Sequence, residues 1–292
     1  MITDKEIQKK LRNLPRLPIL REVGNMLSNF LEIDPESSPD IERELLFIIS
    51  HDPALVFNSL KMANSAYYAL PRKIKSIREA INIIGFSDLR EFILKPLLKN
   101  YLYSPSYYDW KIFWFHSIAT AIMAEHIGEL LGYETREELF TAALIHDVGK
   151  LVEYLSYTQI FKDAIITAGE EWKPFFEVER ELLGIDHAFL GGFLARMWKF
   201  PYEYVKSIEL HHENRIPEEF HGKDTRIISV IIMISNEIVK YYGISTPGAS
   251  FYVLNKELFN FLGLTMDFIE KYAFKVRREA MFSLERLGVS FF

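Results

Sequence analysis

Ala142-Ala143-Leu144-Ile145-His146-Asp147-Val148-Gly149-Lys150 is the stretch on which the reading of this chain turns. From His146 to Lys150 it joins an imidazole, a carboxylate, a glycine and an ammonium within five residues. Other imidazoles gather around it: His116, His126, His146, His187, His211, His212 and His221 are seven of the chain's eight histidines. His211-His212-Glu213 sets two imidazoles beside a carboxylate at the end of a predicted helix. Imidazole and carboxylate are ligands that suit zinc, iron or manganese when thiolates are absent. The chain has no cysteine, so thiolate ligation and a disulfide framework are both excluded.

Helical periodicity dominates on either side of this stretch. Leu20, Val23, Leu27, Phe30 and Leu31 fall on one face at steps of three and four, as do Ile227, Ile231, Ile234 and Ile238. Asp52-Pro53 offers an N-cap followed by proline at the first helical position, where the missing N–H costs nothing. Ser76 with Glu79, and Thr135 with Glu138, match the reciprocal capping box. Asp186 suits the cap of a helix just after Gly184, a terminator of the one before, and Pro201 begins another. Gly85 is read as a helix end and not as a phosphate contact. Asn-Gly hairpins and sustained alternation are both missing, so strands are not expected. These signals predict an all-α chain of roughly a dozen helices.

The bulk composition narrows the function classes. At 292 residues, with 49% hydrophobic and 25% charged, the chain is an ordinary globular one. Its net charge of -6 argues against nucleic acid, which normally meets a basic surface. No apolar run reaches membrane length, and no apolar signal stretch follows the start, so a cytoplasmic protein is expected.

The candidate ligands divide into two groups. One ion takes His116 from one helix with His146 and Asp147 from another; a second shares Asp147 and recruits His187, His211 and His212. Such an ion lowers the pKa of a coordinated water. Lys150, about one turn beyond His146, suits a phosphate oxygen as a point charge. A plainer account stands beside this one: His146 and Asp147 bond within a polar cavity, and His211 and His212 straddle a helix surface. His51, His126 and His221 are read as packed or solvated residues.

Phe113-Trp114-Phe115-His116-Ser117, the His146 stretch, Gly184-Ile185-Asp186-His187-Ala188-Phe189-Leu190-Gly191 and Leu210-His211-His212-Glu213 together resemble the core of the HD superfamily. Upstream the resemblance narrows to HDOD domains. It is carried by Leu14-Pro15-Arg16-Leu17-Pro18, by Ile49-Ser50-His51-Asp52-Pro53-Ala54-Leu55, by Lys61-Met62-Ala63-Asn64-Ser65-Ala66-Tyr67-Tyr68 and by Ile77-Arg78-Glu79-Ala80-Ile81-Asn82-Ile83-Ile84-Gly85. It runs from about Leu14 to Glu213 and implies an all-α fold and a cytoplasmic, bacterial signalling role. Two departures bear on mechanism. Where active HD phosphohydrolases carry a last aspartate, this chain offers Asn236, with Glu237 beside it as the alternative. Relatives that hydrolyse cyclic dinucleotides carry Gly-Tyr-Pro after the paired histidines, and this chain reads Asn214-Arg215-Ile216-Pro217-Glu218.

The expected organisation is an N-terminal helical subdomain over 1–105, an HD-like subdomain with the histidine pocket over 106–245, and a helical tail over 246–292. The leading expectation is a non-catalytic signalling protein acting through a protein partner or a bound ligand. The rival is a metal-dependent phosphohydrolase of a nucleotide or phosphodiester, with Asp147 and Lys150 as catalytic residues. The cofactor is one or two divalent ions (iron, manganese, zinc or nickel), or none. A nucleotide or phosphate ligand is compatible with either reading; nucleic acid and membrane are not expected as partners. The connector Ala63–Lys75, with paired tyrosines and three cations, suits either a contact surface or a packed link whose tyrosines cover the core; the packed link is the one expected. Phe291-Phe292 is expected to tuck back onto its own chain.

Overall fold

The computed structural model describes residues 3–14, 16–30, 39–97, 101–102, 104–213, 215–216, 223–245 and 254–291. Leu31, Asn214, Pro217, Glu218, His221, residues 246–253 at the start of the expected tail, and Phe292 lie outside them. The fold is all-α, as the periodicity predicts. Among the described residues no helix is long and apolar enough to cross a membrane.

The N-terminal half runs α1 (Asp4–Arg12), α2 (Arg21–Ser28), α3 (Pro39–Ser50), α4 (Pro53–Ala63), α5 (Ile77–Ile84) and two short segments, α6 (Phe86–Leu89) and α7 (Lys95–Leu97). A wider π turn, Arg90–Leu94, joins the last two. Asp52 caps α4 by accepting from the Leu55 amide at 2.7 Å, and its other oxygen accepts from Trp114 Nε1 at 2.8 Å. One buried carboxylate thus finishes a helix end and ties it to the second half of the chain. Asn58 exchanges bonds with the Leu17 backbone at 3.0 and 3.2 Å, and Asn64 clamps both backbone groups of Ile74 at 2.9 and 3.0 Å.

The second half is built around α8 (Trp110–Leu130), which is buried nearly all round and packs against α9 (Arg136–Leu144), α15 (Lys223–Tyr241) and α17 (Met266–Arg286). Between them lie α10 (Gly149–Ser156), α11 (Thr158–Glu171), α12 (Phe175–Leu183), α13 (His187–Met197), α14 (Tyr202–Leu210) and α16 (Lys256–Leu262). A helix apolar nearly all round belongs in the middle of a core, and α8 fits that rule.

Most start and stop signals fall where they were placed. Ser76 accepts from the Glu79 amide at 3.1 Å, although the Glu79 carboxylate pairs with Arg72 instead of completing the expected box; Asp186 accepts from the Phe189 amide at 2.8 Å, and Gly184 and Gly85 close helices at φ 83 and 75. Two expectations need correction. At Thr135 the helix begins as expected, but the side chain makes no cap bond, and the Glu138 carboxylate lies 3.6 Å from Lys75. The absence of strands is also broken, by a two-residue parallel pair, β1 (Ile19–Leu20) with β2 (Tyr101–Leu102). So short a pair leaves no alternation to read. The connector tyrosines divide: Tyr68 packs on the core, whereas Tyr67 is 80% exposed. Phe291 folds back against Phe115, ring centroids 5.5 Å apart.

Candidate metal centre

Gly149 decides how the helices meet at the site. A Cβ there would sit 1.7 Å from the His187 carbonyl oxygen and 2.9 Å from the Gly191 nitrogen. Only a glycine lets the start of α10 lie against the start of α13. A Cβ on Gly191 would in turn meet Ile208 at 2.9 Å, so α14 closes on the same spot. His146 and Asp147 occupy the turn that carries α9 into α10, His187 opens α13, His211 ends α14 and His116 projects from α8.

These side chains converge on one carboxylate. His187 Nε2 and His211 Nε2 lie 3.1 and 3.2 Å from Asp147 Oδ1. His116 Nε2 and His146 Nε2 lie 3.7 and 3.9 Å from Asp147 Oδ2. His212 joins through its Nε2, 2.8 Å from His187 Nε2. All six predicted ligands are therefore brought together, in the two groups expected: His116, His146 and Asp147, and Asp147, His187, His211 and His212.

Hydrogen bonding fixes which nitrogen faces inward. His116 Nδ1 donates to the Ile244 carbonyl at 2.8 Å, His146 Nδ1 to Ala143 at 2.7 Å and His211 Nδ1 to Ile208 at 2.7 Å. His187 Nδ1 meets Glu179 Oε2 at 2.6 Å. A neutral imidazole whose Nδ1 carries the proton presents a lone pair at Nε2. Burial, the largest influence, pulls His116 and His187 down to about 3 and holds His146 and His212 well below the usual histidine range. These four rings are neutral near pH 7.

Five atoms of the cluster lack a hydrogen-bond partner among the described residues. They are His116 Nε2, His146 Nε2, His211 Nε2, Asp147 Oδ1 and Asn236 Oδ1, all buried. Orphaned buried acceptors are costly, and several of them around one point call for a cation. The separations from 3.1 to 3.9 Å suit donors sharing one ion at bonds of about 2.0–2.2 Å. Outer Nδ1 bonds to carbonyls and a carboxylate are the usual support of metal-binding imidazoles. The residues fit a divalent ion.

The surroundings set the charge. Lys150 Nζ lies 2.5 Å from Asp147 Oδ2. Burial pushes the Asp147 carboxyl upward, but the Lys150 ammonium and the surrounding groups outweigh it and hold it well below the usual range. Asn236 is buried, and its Nδ2 donates to the His211 carbonyl at 3.2 Å. Glu237, the alternative last carboxylate, instead accepts from the Asn255 amide at 3.0 Å. Behind His187, burial raises both Glu153, to about 7, and Glu179 above the usual carboxylate range.

The sequence reading missed Glu179, Glu153 and Lys240. Glu179 stands eight residues before His187 on another helix, a spacing that carries no periodic signal. Lys240 was legible, since it stands one helical turn beyond Asn236. Two of the three histidines set aside keep plain roles: His51 stacks on Phe47 at 4.1 Å, and His126 Nε2 meets Glu279 Oε2 at 2.9 Å.

Comparison with known proteins agrees with the fold. The MmoQ response regulator of Methylococcus capsulatus superposes with a TM-score of 0.70 at 22% identity, covering 88% of this chain and 98% of that one. An HDOD domain protein of unknown function from Geobacter sulfurreducens superposes with a TM-score of 0.51 at 20% identity, covering 95% and 98%. An uncharacterized protein of Treponema pallidum is 24% identical over 245 residues, which are 82% of this chain. This chain spans only 45% of that relative's length. The HDOD domain model matches residues 17–214, a span that opens at the Asn58-pinned Leu17 and closes just past His212, and the chain belongs to the HDOD domain family.

Proposed function

We propose that this chain is a non-catalytic regulatory protein, whose histidine pocket holds a divalent ion as a structural or sensing element and whose state is passed to a protein partner. The observation that carries this reading is a complete set of imidazoles closed over a single carboxylate. His116, His146, Asp147, His187 and His211 are each at most 2% exposed, and Asn236 stands where a further anion is expected. A bound ion supplies Lewis acidity, but a phosphoester has to reach it. Here the cluster's side chains are buried, and half-buried His212 is its most accessible member. Lys150 neutralises Asp147 and is not turned to an open face. The name of the MmoQ response regulator accords with a signalling role.

The rival, phosphohydrolase reading draws on the same orphaned lone pairs, since they are equally the donors of a catalytic ion. Elemental analysis of the protein purified with manganese and iron supplied, followed by turnover of a generic phosphodiester and a nucleotide panel, separates the two. The regulatory reading expects bound metal and no product. Product formation that His146→Ala abolishes overturns it. A metal-free protein under generous supply removes the metal from both readings.

A further inference from the structure

Asn64 closes the connector between α4 and α5 into a loop. Its side chain donates to the Leu60 carbonyl at 3.1 Å and bonds both backbone groups of Ile74, so residues 65–73 are held from their base. A cavity of 230 Å³ lies between this loop and the turn after α13. Three cations line it, Arg72, Lys73 and Lys199, and no carboxylate does. Arg72 is paired with Glu79, and Lys75, just past the cavity, with Glu203 and Glu138. Lys73 and Lys199 are exposed and have no such partner among the described residues. On a chain of net charge -6 this is a local excess of positive charge. The backbone is strained at the same place. Ala69 and Lys199, at φ 46 and 61, are two of the three non-glycine residues with positive φ among the described residues, and both line the cavity. Lys199 stands one residue past the cap of α13, where glycine carries no penalty, so its ammonium is kept there at a cost in strain. Tyr67, 80% exposed, stands edge-on to Tyr68 with ring centroids 4.9 Å apart, and Leu70 is exposed too. An exposed tyrosine beside cations has the make-up of an interface anchor.

The connector is also wired to the histidine cluster. α13 begins at His187, and the turn after its far end carries Lys199 to the cavity. α14 leads into His211, and at its start Glu203 pairs with Lys75 at 2.5 Å and the Tyr204 hydroxyl bonds the Lys75 carbonyl. Two helices that hold imidazoles of the cluster thus abut the connector at their other ends. We propose that this cavity and its rim are the surface on which the protein partner docks, and that the partner presents an acidic segment. Its carboxylates enter between Lys73 and Lys199, and its chain lies along Tyr67 and Leu70. Pockets for small molecules usually measure about 300–1,000 Å³, so this smaller one suits an acidic side chain or two. Tyr67 and Leu70 outside it offer contact area that a free phosphate does not use. The negative charge of the whole chain disfavours an extended anionic surface such as a membrane or nucleic acid. This inference rests on the regulatory reading for the existence of a partner, and not on the metal.

Fluorescence anisotropy of a labelled glutamate-rich peptide, titrated with the full chain, is the test. A lysine-rich peptide, inorganic phosphate and phosphatidylserine vesicles are the comparison probes. The glutamate-rich peptide should bind, more weakly as salt is raised, and the lysine-rich one should not. Tyr67→Ala and Lys199→Gly should each weaken binding by roughly tenfold. Neither should lower the melting temperature, because Tyr67 is exposed and glycine relaxes the backbone at position 199. Lys271→Glu, a charge reversal on α17, should leave the affinity unchanged. No binding of the glutamate-rich peptide, binding that survives both variants, or an equal loss in Lys271→Glu each overturns the proposal. Phosphate or vesicle binding that exceeds the peptide's and is lost in Lys199→Gly reassigns the cavity to a free anion or a lipid, and overturns it as well. These outcomes leave the regulatory reading standing, since the turnover and elemental assays decide that.

Discussion

Gly149→Ala is the single substitution that tests the site's architecture most sharply. The new methyl would stand 1.7 Å from the His187 carbonyl oxygen, where ordinary contact begins near 3.4 Å. Its neighbours are backbone atoms of α13, so no side-chain rotation relieves the clash; the two helix starts have to part by more than an ångström. Overpacking of a closed core costs about 1–3 kcal/mol, and an unyielding backbone puts this case at the upper end. With roughly 2–4 °C per kcal/mol for chains of this size or somewhat smaller, the melting temperature should fall by about 6–12 °C. The same separation pulls Asp147 away from His187, now 3.1 Å apart, so manganese affinity should drop alongside stability. Scanning calorimetry and metal titration read the two effects. A melting temperature within about 2 °C of wild type, with unchanged metal affinity, would refute the claim that α10 and α13 are locked through this glycine.

Three further substitutions probe separate parts of the account. Asp147→Ala strands the buried Lys150 ammonium and should cost about 3–5 kcal/mol in urea unfolding, and adding Lys150→Met should recover a large part of it; equal stability of single and double variants contradicts the pairing. Glu179→Ala removes the acceptor of His187 Nδ1 and should weaken metal binding about 10- to 100-fold, so an unchanged affinity argues against that support. The third concerns pH. Burial lowers His51 to about 4, so its contribution is present above the unfolded value near 6.5 and is lost as pH falls through 4. Burial raises Asp52 to about 6, so its contribution is present below 3.8 and is lost as pH rises through 6. The two slopes oppose each other between these limits. Asp52→Asn should therefore steepen the rise of stability with pH between pH 4 and 6, by about 1.4 kcal/mol per unit, and a slope unchanged in melting curves contradicts the assignment.

The parts of this molecule legible in the sequence are those governed by local rules. Asp52, Ser76 and Asp186 announce their helices because a cap needs only an acceptor and an amide three residues on. Thr135 carries the same local signal, yet it makes no cap bond and Glu138 lies beside Lys75, since partners distant in sequence compete for the same side chains. The six ligands were found as residue types in order, but their convergence depends on contacts that no local pattern encodes. Gly149 against the His187 carbonyl is such a contact, as is Glu179 beneath the same histidine. The β1–β2 pair joins residues 19–20 with 101–102, and each strand is too short to carry a pattern.

X-ray absorption on the manganese- or zinc-loaded protein examines the central claim at the atoms concerned. The account predicts an ion surrounded by several imidazole nitrogens and the Asp147 oxygen at about 2.0–2.2 Å, a shell that Asp147→Ala disrupts. An ion ringed by water oxygens alone, with a spectrum indifferent to that substitution, would contradict it.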